Sequence, residues 1–213
     1  MCNHKTCKWY TRICEAERRG ITDKEDFGPP LGLAMQNSIT IIADASFCSK
    51  SKAAGYGVWL ASNNGKQAFE GPLHSPSDNN VAEAMAIANS LWHGLQSGLI
   101  KPKSNILIQS DSDSAIKTLS FKNNPYCQQM RDVAQYVESL VTRYKLRIRY
   151  KHVPGHTIGA DKRTKAQNHC DSAAKRQMLL QRSTMGFEEI KPEKVRRNST
   201  NYLRSRKRKS NDY

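Results

Sequence analysis

The chain has 213 residues and a formal net charge of +15, a length that allows one domain of about 150 residues plus flanking segments. No apolar run approaches the roughly 18 residues of a membrane span, and the first residues, MCNHKTCKWYTRIC, lack the apolar stretch of a signal peptide. Six cysteines without dense or regular spacing exclude a disulfide framework, so we expect an intracellular protein with reduced thiols and no membrane partner.

Residues 1–37 form an N-terminal extension that precedes the first regular apolar pattern. It contains FGPPLG, a stretch whose glycines and prolines are typical of a linker, which predicts a domain boundary at Ser38. The extension also contains four potential zinc ligands: Cys2, His4, Cys7 and Cys14. Their spacing matches no common zinc finger, so a small zinc knot and loose reduced cysteines are both open interpretations.

Three runs of β-branched or aromatic residues follow the boundary, and a turn at SNNG separates the last two: SITIIADASF, GYGVWLAS and GKQAFEGPL. Runs of this kind joined by short turns predict a three-stranded antiparallel meander. The pattern changes at Asn79, because Ala84, Ile87 and Leu91 recur at helical spacing and predict a helix that ends near Gly98.

The rest of the domain is predicted to contain five further elements: strand NILIQS, a helix from about Ser112, a helix over YCQQMRDVAQYVESLVTRY, strand KLRIRYKHV and a helix from about Ala166 to Leu180. The order β-β-β-α-β-α-α-β-α predicts an α/β fold with a mixed five-stranded sheet flanked by helices, in which two parallel strands join the meander. We place this domain at residues 38–182.

The strand KLRIRYKHV alternates strictly between apolar and basic residues. Leu146, Ile148 and Tyr150 share one face, and the other face includes Arg147 and Arg149. A basic face can bind phosphates, but charges on an edge strand also discourage pairing between sheets. Both interpretations stay open.

A basic tail is predicted over residues 183–213, and its last 23 residues hold nine Lys or Arg against two Asp or Glu. This composition is too polar to pack, so we expect the tail to be disordered. It would attract polyanions without reading their sequence, or serve solubility or nuclear import.

Four acidic residues lie at predicted strand ends or within predicted helices: Asp44, Glu83, Asp111 and Asp171. A carboxylate at the end of a buried strand is costly unless water, a hydrogen bond or a metal compensates it. Glu83 shares its helix face with Ile87 and Leu91, so it should point at the sheet. Oxygen ligands without His or Cys favour Mg²⁺ or Mn²⁺ over zinc, and two such ions can support phosphodiester hydrolysis.

The motifs DAS, NNxxE, SDS, VPGHT and CDxxA, in this order and spacing, resemble those of type 1 ribonuclease H over about residues 38–180. The resemblance implies a ribonuclease H-like fold in which the four acids are catalytic and bind the metals. It also implies that His156 assists proton transfer or product release. By the same resemblance, Asn79 and Asn80 contact the backbone of the substrate in its minor groove.

The activity implied is hydrolysis of the RNA strand of RNA/DNA hybrids, leaving 5′-phosphate and 3′-hydroxyl ends. Two Mg²⁺ ions, with Mn²⁺ as a substitute, would be the cofactors, and contacts to 2′-hydroxyl groups would distinguish RNA from DNA. We expect a monomer that binds nucleic acid also through the tail and the edge strand. A catalytically weak or inactive binding module and a DNA-acting nuclease of the same broad fold are the alternatives.

Several positions need separate interpretation. Asp111 directly follows the strand NILIQS and is the predicted ligand, whereas Asp113 is predicted to cap or precede the next helix. The family usually has Gly at the position of Ala45, and an alanine adopts positive φ only at a cost. We expect His152 to be structural and the segment from His156 to the last acid to be a long, basic, mobile loop. The family's basic protrusion has no counterpart around SFKNNPYC.

Overall fold

The computed structural model describes residues 38–63, 65–155 and 161–187. The strands are β1 (Ser38–Phe47), β2 (Ala54–Ser62), β3 (Gly65–Leu73), β4 (Asn105–Ser110) and β5 (Arg147–His152). The helices are α1 (Asn79–Gln96), α2 (Asp113–Leu119), α3 (Gln128–Tyr144) and α4 (Lys162–Thr184). This order of elements confirms the predicted order.

The five strands form one mixed sheet in the order β3-β2-β1-β4-β5. β1, β2 and β3 pair antiparallel, and Asp44 on β1 lies opposite Gly57 on β2. β4 pairs parallel with β1, and β5 pairs parallel with β4. The predicted combination of an antiparallel meander with two parallel strands is therefore confirmed. Because β1 and β4 are parallel neighbours, their carboxyl ends lie at the same end of the sheet.

One face of the sheet, called here the core face, is covered by α1 and α3 and holds the main hydrophobic core. Its strand side chains are mostly large aliphatic residues that are fully buried: Ile39, Ile41, Val58, Leu60, Ile106 and Ile108. Helix α1 adds Ile87 and Leu91 to this core. This packing sets the height and rotation of α1 above the sheet.

The opposite face, called here the glycine face, is covered by α4, which packs mainly on β2 and β1. A Cβ atom on Gly57 would overlap the backbone carbonyl of Cys170 and lie 2.8 Å from Cβ of Ala173. A Cβ atom on Gly55 would lie 2.6 Å from the backbone oxygen of Ala174. The backbone of α4 therefore lies almost directly on β2, which a side chain at either glycine would prevent.

The bounds of α4 correct the sequence prediction. The helix begins at Lys162 and not at Ala166, and it ends at Thr184, beyond the predicted Leu180. The Asp161 side chain accepts a hydrogen bond from the Thr164 backbone N–H at 2.9 Å, which caps the helix start. The prediction of a loop that extends as far as Asp171 was therefore wrong from residue 162 onward.

Strand β5 is the edge strand and has the predicted alternation. Arg147, Arg149 and Lys151 are exposed, whereas Ile148 and Tyr150 are half-buried and pack against the core. None of the helices in the described part of the chain combines the length and apolar composition that a bilayer span requires.

Candidate active site

A cleft of about 490 Å³ opens where β1 and β4 end and where α1 and α2 begin. Thirteen of the described residues line it, and five of these are acidic: Asp44, Glu83, Asp111, Asp113 and Asp171. Lys175 is the basic residue among the described residues that line the cleft. A high density of negative charge in a concave site favours the binding of cations, because buried charges without partners are unfavourable.

Three acids form the centre of the cleft. Asp44, Glu83 and Asp111 each offer a carboxylate oxygen, and these oxygens all lie within 4.8 Å of one another. Asp44 and Glu83 are 6% and 4% exposed, so little water reaches them. This arrangement of oxygen donors, with no His or Cys among them, suits a hard divalent ion.

The carboxylate of Glu83 has one oxygen without a hydrogen-bond donor among the described residues, and such an oxygen can bind a cation. The backbone N–H of Ala45 donates to Oδ1 of Asp44 at 2.9 Å and also reaches Oε1 of Glu83 at 3.3 Å. Oε2 of Glu83 is buried and has no hydrogen-bond partner among the described residues. A buried carboxylate oxygen without a donor costs free energy that a bound metal ion would recover.

The negative charges of these acids repel one another. Burial, together with the nearby charges of Asp111 and Asp171, raises the pKa of Asp44 to about 7. Burial and the charge of Asp44 raise the pKa of Glu83 well above its usual range. Without a cation, the cluster therefore resists full ionisation at neutral pH.

Ala45 does not need the backbone freedom of glycine. It lies within β1, opposite Tyr56 on β2, and it is not among the described residues with positive φ. The expected cost of positive φ at this position therefore does not arise. Its backbone N–H serves the acids, and its side chain packs against the core.

Asp111 is fixed by the end of β5 and the residues that follow it. His152 donates a hydrogen bond from Nε2 to the Asp111 backbone oxygen at 3.0 Å, and the Val153 N–H donates to the Ser110 oxygen at 3.0 Å. A Cβ atom on Gly155 would overlap Oδ2 of Asp111 and lie 3.3 Å from its Cγ. Glycine at 155 therefore lets the backbone pass directly beside the carboxylate.

Asp171 lies at the rim of the cleft and is not part of the three-acid cluster. It is on α4, next to Cys170, whose carbonyl contacts the glycine face at Gly57. Its Oδ2 accepts a hydrogen bond from Nζ of Lys175 at 2.7 Å, one helical turn further on. The structure thus brings the four predicted acids into one cleft, three of them in mutual contact range.

The other predicted residues occupy the edges of the cleft or lie outside the described chain. Asn79 and Asn80 line it as the first, exposed residues of α1, after the N-cap Asp78. Asp113 is the first residue of α2, and the N-cap is Ser112, which corrects the prediction that this acid caps or precedes the helix. His156 and the potential zinc ligands of the N-terminal extension lie outside the described residues.

Sequence reasoning missed two residues of the site, Lys175 and Gly155. Lys175 stands four positions after Asp171, a spacing that predicts a helical ion pair. Gly155 precedes the motif histidine, but nothing local in the sequence shows that it touches Asp111. His152 was expected to be structural, and its ring bonds to the Asp111 backbone in agreement with that expectation.

Comparison with protein families gave a match to the model described as RNase H over residues 36–179. Comparison with curated proteins gave no match.

Among solved structures, the chain is similar to RNase H1 from the halophilic archaeon Halobacterium salinarum, with 19% identity and a TM-score of 0.53 over 66% of this chain and 97% of that one. It is similar to an N-terminal RNase H domain from Mycobacterium tuberculosis, with 19% identity and a TM-score of 0.52 over 69% and 97% of the chains. It is also similar to LC11-RNase H1, solved in complex with RNA/DNA hybrid, with 15% identity and a TM-score of 0.54 over 66% and 96%. Likeness at these identities shows the fold.

Proposed function

Because the chain belongs to the RNase H family, we propose that it is an endoribonuclease that hydrolyses the RNA strand of RNA/DNA hybrids. The products would carry 5′-phosphate and 3′-hydroxyl ends. The observation that supports this most is the cluster of Asp44, Glu83 and Asp111, whose oxygens lie within 4.8 Å of one another at the bottom of an open cleft. A nuclease of this type needs such a cluster beside room for a nucleic-acid backbone.

The three-acid cluster together with Asp171 would hold two divalent ions, Mg²⁺ or Mn²⁺. Bound there, the ions would activate a water molecule and neutralise charge at the phosphodiester. The chain itself contributes the fixed positions of the carboxylates. Ala45 orients Asp44 and Glu83 through its N–H, and His152 at the end of β5 holds the Asp111 backbone. This preorganisation means that the ligands need little rearrangement before cleavage.

Substrate contacts would come from the start of α1 and from beyond the cleft. Asn79 and Asn80 are exposed at the N-terminus of α1, where the helix dipole favours a phosphate. In this proposal both asparagines contact the hybrid backbone in the minor groove, and His156 assists proton transfer or product release.

The basic row on β5 is proposed to bind hybrid phosphates, together with the tail. Arg147 and Arg149 are exposed on the side of the strand that the core does not cover. Replacing both by Gln should weaken hybrid binding and lower the slope of log affinity against log salt concentration by about 1–2. An unchanged slope in a filter-binding titration would assign the row to protection of the sheet edge.

The test of the proposed activity is cleavage of an end-labelled RNA/DNA hybrid with Mg²⁺. Asp44→Asn, Glu83→Gln and Asp111→Asn should each lower the rate by more than about 1,000-fold, since a lost metal ligand removes several kcal/mol of transition-state stabilisation. Asp113→Asn is the matched control, because this acid also lines the cleft but pairs with Lys117 on the helix surface. It should keep the wild-type rate and cost a few tenths of a kcal/mol in stability, about the value of an exposed helical pair.

Two results would contradict the proposal. Cleavage of duplex DNA in place of the hybrid would make the protein a DNA-acting nuclease of the same fold. Tight hybrid binding without metal-dependent cleavage would make it a binding module. A monomeric state, an intracellular location and the division into residues 1–37, 38–182 and 183–213 stay predictions from the sequence.

A further inference from the structure

The four acids that are proposed to bind the metal ions do not have equivalent surroundings. Asp44, Glu83 and Asp111 share one contact region, and no Lys or Arg forms an ion pair with any of them among the described residues. Asp171 is instead paired with Lys175, whose Nζ lies 2.7 Å from Oδ2. Asp171 therefore already has a cationic partner.

Lys175 lines the cleft together with the acids, and its side chain is also about half exposed to solvent. This position places the ammonium group beside the acids of the cleft as well as beside its own helical partner. A divalent ion bound between Asp171 and Asp44 would need much of the same space.

We propose that Lys175 is an internal cation that occupies the metal position beside Asp171 and is displaced when the second divalent ion binds there. This inference rests on the proposed two-metal nuclease function. Its consequence is a built-in order of occupancy: the site among Asp44, Glu83 and Asp111 binds without competition, whereas binding beside Asp171 must first break an ion pair.

The pair is suited to such an exchange. The Lys175 and Asp171 side chains are 52% and 27% exposed, so the released ammonium group regains water when it leaves. Exposed pairs at i,i+4 are weak, and a doubly charged ion competes with a single ammonium effectively. Removal of the lysine charge should therefore tighten the second site by about 3- to 30-fold.

A purely structural role would give a different result. Asp113 and Lys117 form the same i,i+4 pair on α2, with side chains that are 54% and 47% exposed, and Asp113 also lines the cleft. Lys117 itself does not line the cleft among the described residues. Lys117→Met is therefore a matched control for the loss of one exposed helical ion pair.

The experiment is a titration of the full chain with Mn²⁺ alone, without hybrid, in which electron paramagnetic resonance measures free Mn²⁺. Lys175→Met should lower the dissociation constant of the weaker site by about 3- to 30-fold, and Lys175→Arg should keep the wild-type value because the charge is retained. Lys117→Met should change it by less than about 2-fold, the value of a weak exposed pair. In an Asp171→Asn background, Lys175→Met should have no further effect, because the lysine has lost the partner for which the metal competes.

Several results would overturn the inference. An unchanged or weaker second site in Lys175→Met would do so, as would equal tightening in the Asp171→Asn background, which would indicate a general charge effect. These results leave the proposed function intact if the wild-type protein binds Mn²⁺ and cleaves the hybrid. Absence of any Mn²⁺ binding by the wild-type protein would overturn the inference and the proposed function together.

Discussion

The core face and the glycine face of the sheet hold their helices by opposite means. On the core face, fully buried side chains such as Ile41 and Leu91 fill the space between β1 and α1. On the glycine face, the absence of side chains at Gly55 and Gly57 lets the α4 backbone rest on β2. The two helices deliver Glu83 and Asp171 respectively to the same cleft.

The two faces should therefore tolerate different kinds of substitution. Atoms removed from the core face leave a cavity but keep the helix near its place, because many other contacts remain. Atoms added to the glycine face must move the helix or the strand, because a backbone cannot yield as a flexible side chain does. Stability should therefore depend most on the core face, and the geometry of the cleft on the positions without side chains.

The largest expected loss of stability comes from Leu91→Ala on the core face. Leu91 is fully buried on α1, eight positions after Glu83, and such truncations cost about 2–5 kcal/mol. Unfolding in urea, followed by circular dichroism, measures this loss. Under conditions where the variant is folded, it should cleave the hybrid at nearly the wild-type rate. A large loss of rate would contradict the proposed difference between the two faces.

Gly155 lies beside Asp111 at the end of the sheet and is another position where the absence of a side chain matters. Gly155→Ala places a methyl group against Oδ2 and Cγ of Asp111, so the carboxylate must turn away from the cluster. A misplacement of this size should lower the rate of hybrid cleavage by about 100-fold. Pro154→Ala is the control, because this exposed neighbour should leave both the rate and the melting temperature nearly unchanged. Wild-type cleavage by Gly155→Ala would show that the carboxylate does not need this clearance.

Gly57→Ala tests the glycine face directly. Its new Cβ would meet the carbonyl of Cys170 and Cβ of Ala173, and overpacking of this kind costs about 1–3 kcal/mol. Because Cys170 is next to Asp171, cleavage should fall more than after Leu91→Ala even though the stability loss is smaller. Gly71→Ala, whose Cβ would have the Tyr56 side chain as its nearest contact at 3.0 Å, is a control in the same sheet. Equal rates for both glycine variants would refute the proposed role of close helix packing.

A dependence of stability on pH is expected in the metal-free protein. Burial and neighbouring acids raise the pKa of Asp44 from 3.8 to about 7, so the folded state favours the protonated form. This contribution to stability is complete below the unfolded pKa and is lost as pH rises through about 7. In the presence of a chelator, the stability of Asp44→Asn relative to the wild type should therefore increase between about pH 5 and pH 8. The increase should be on the order of 1 kcal/mol for each unit of the pKa shift.

Thermal unfolding at both pH values measures this gain. Asp113→Asn is the control, because its side chain is exposed on α2. Added Mg²⁺ should raise the melting temperature of the wild type at the higher pH, since the ion binds only the folded cluster. A gain for Asp44→Asn that is equal at both pH values would contradict the raised pKa.

The limits of the sequence are clearest at α4. Its buried residues include Ala166, Cys170 and Ala173, which are too small to form a marked apolar stripe. A helix that packs against glycines needs no large side chains, so its periodicity was weak and its start at Lys162 was missed. Helix α1 packs through Ile87 and Leu91, and its start at Asn79 followed directly from the pattern.

Local sequence patterns were enough to predict the order of the strands and helices along the chain, the inward direction of Glu83 and the placement of Asp111 after a strand. These features depend on local periodicity and on residues a few positions apart, which a sequence displays directly. The folded structure was needed to establish that three acids come within 4.8 Å, that Gly155 lies against Asp111 and that Lys175 lines the cleft. These contacts join atoms from distant parts of the chain, and their distances depend on how closely the helices pack on the sheet.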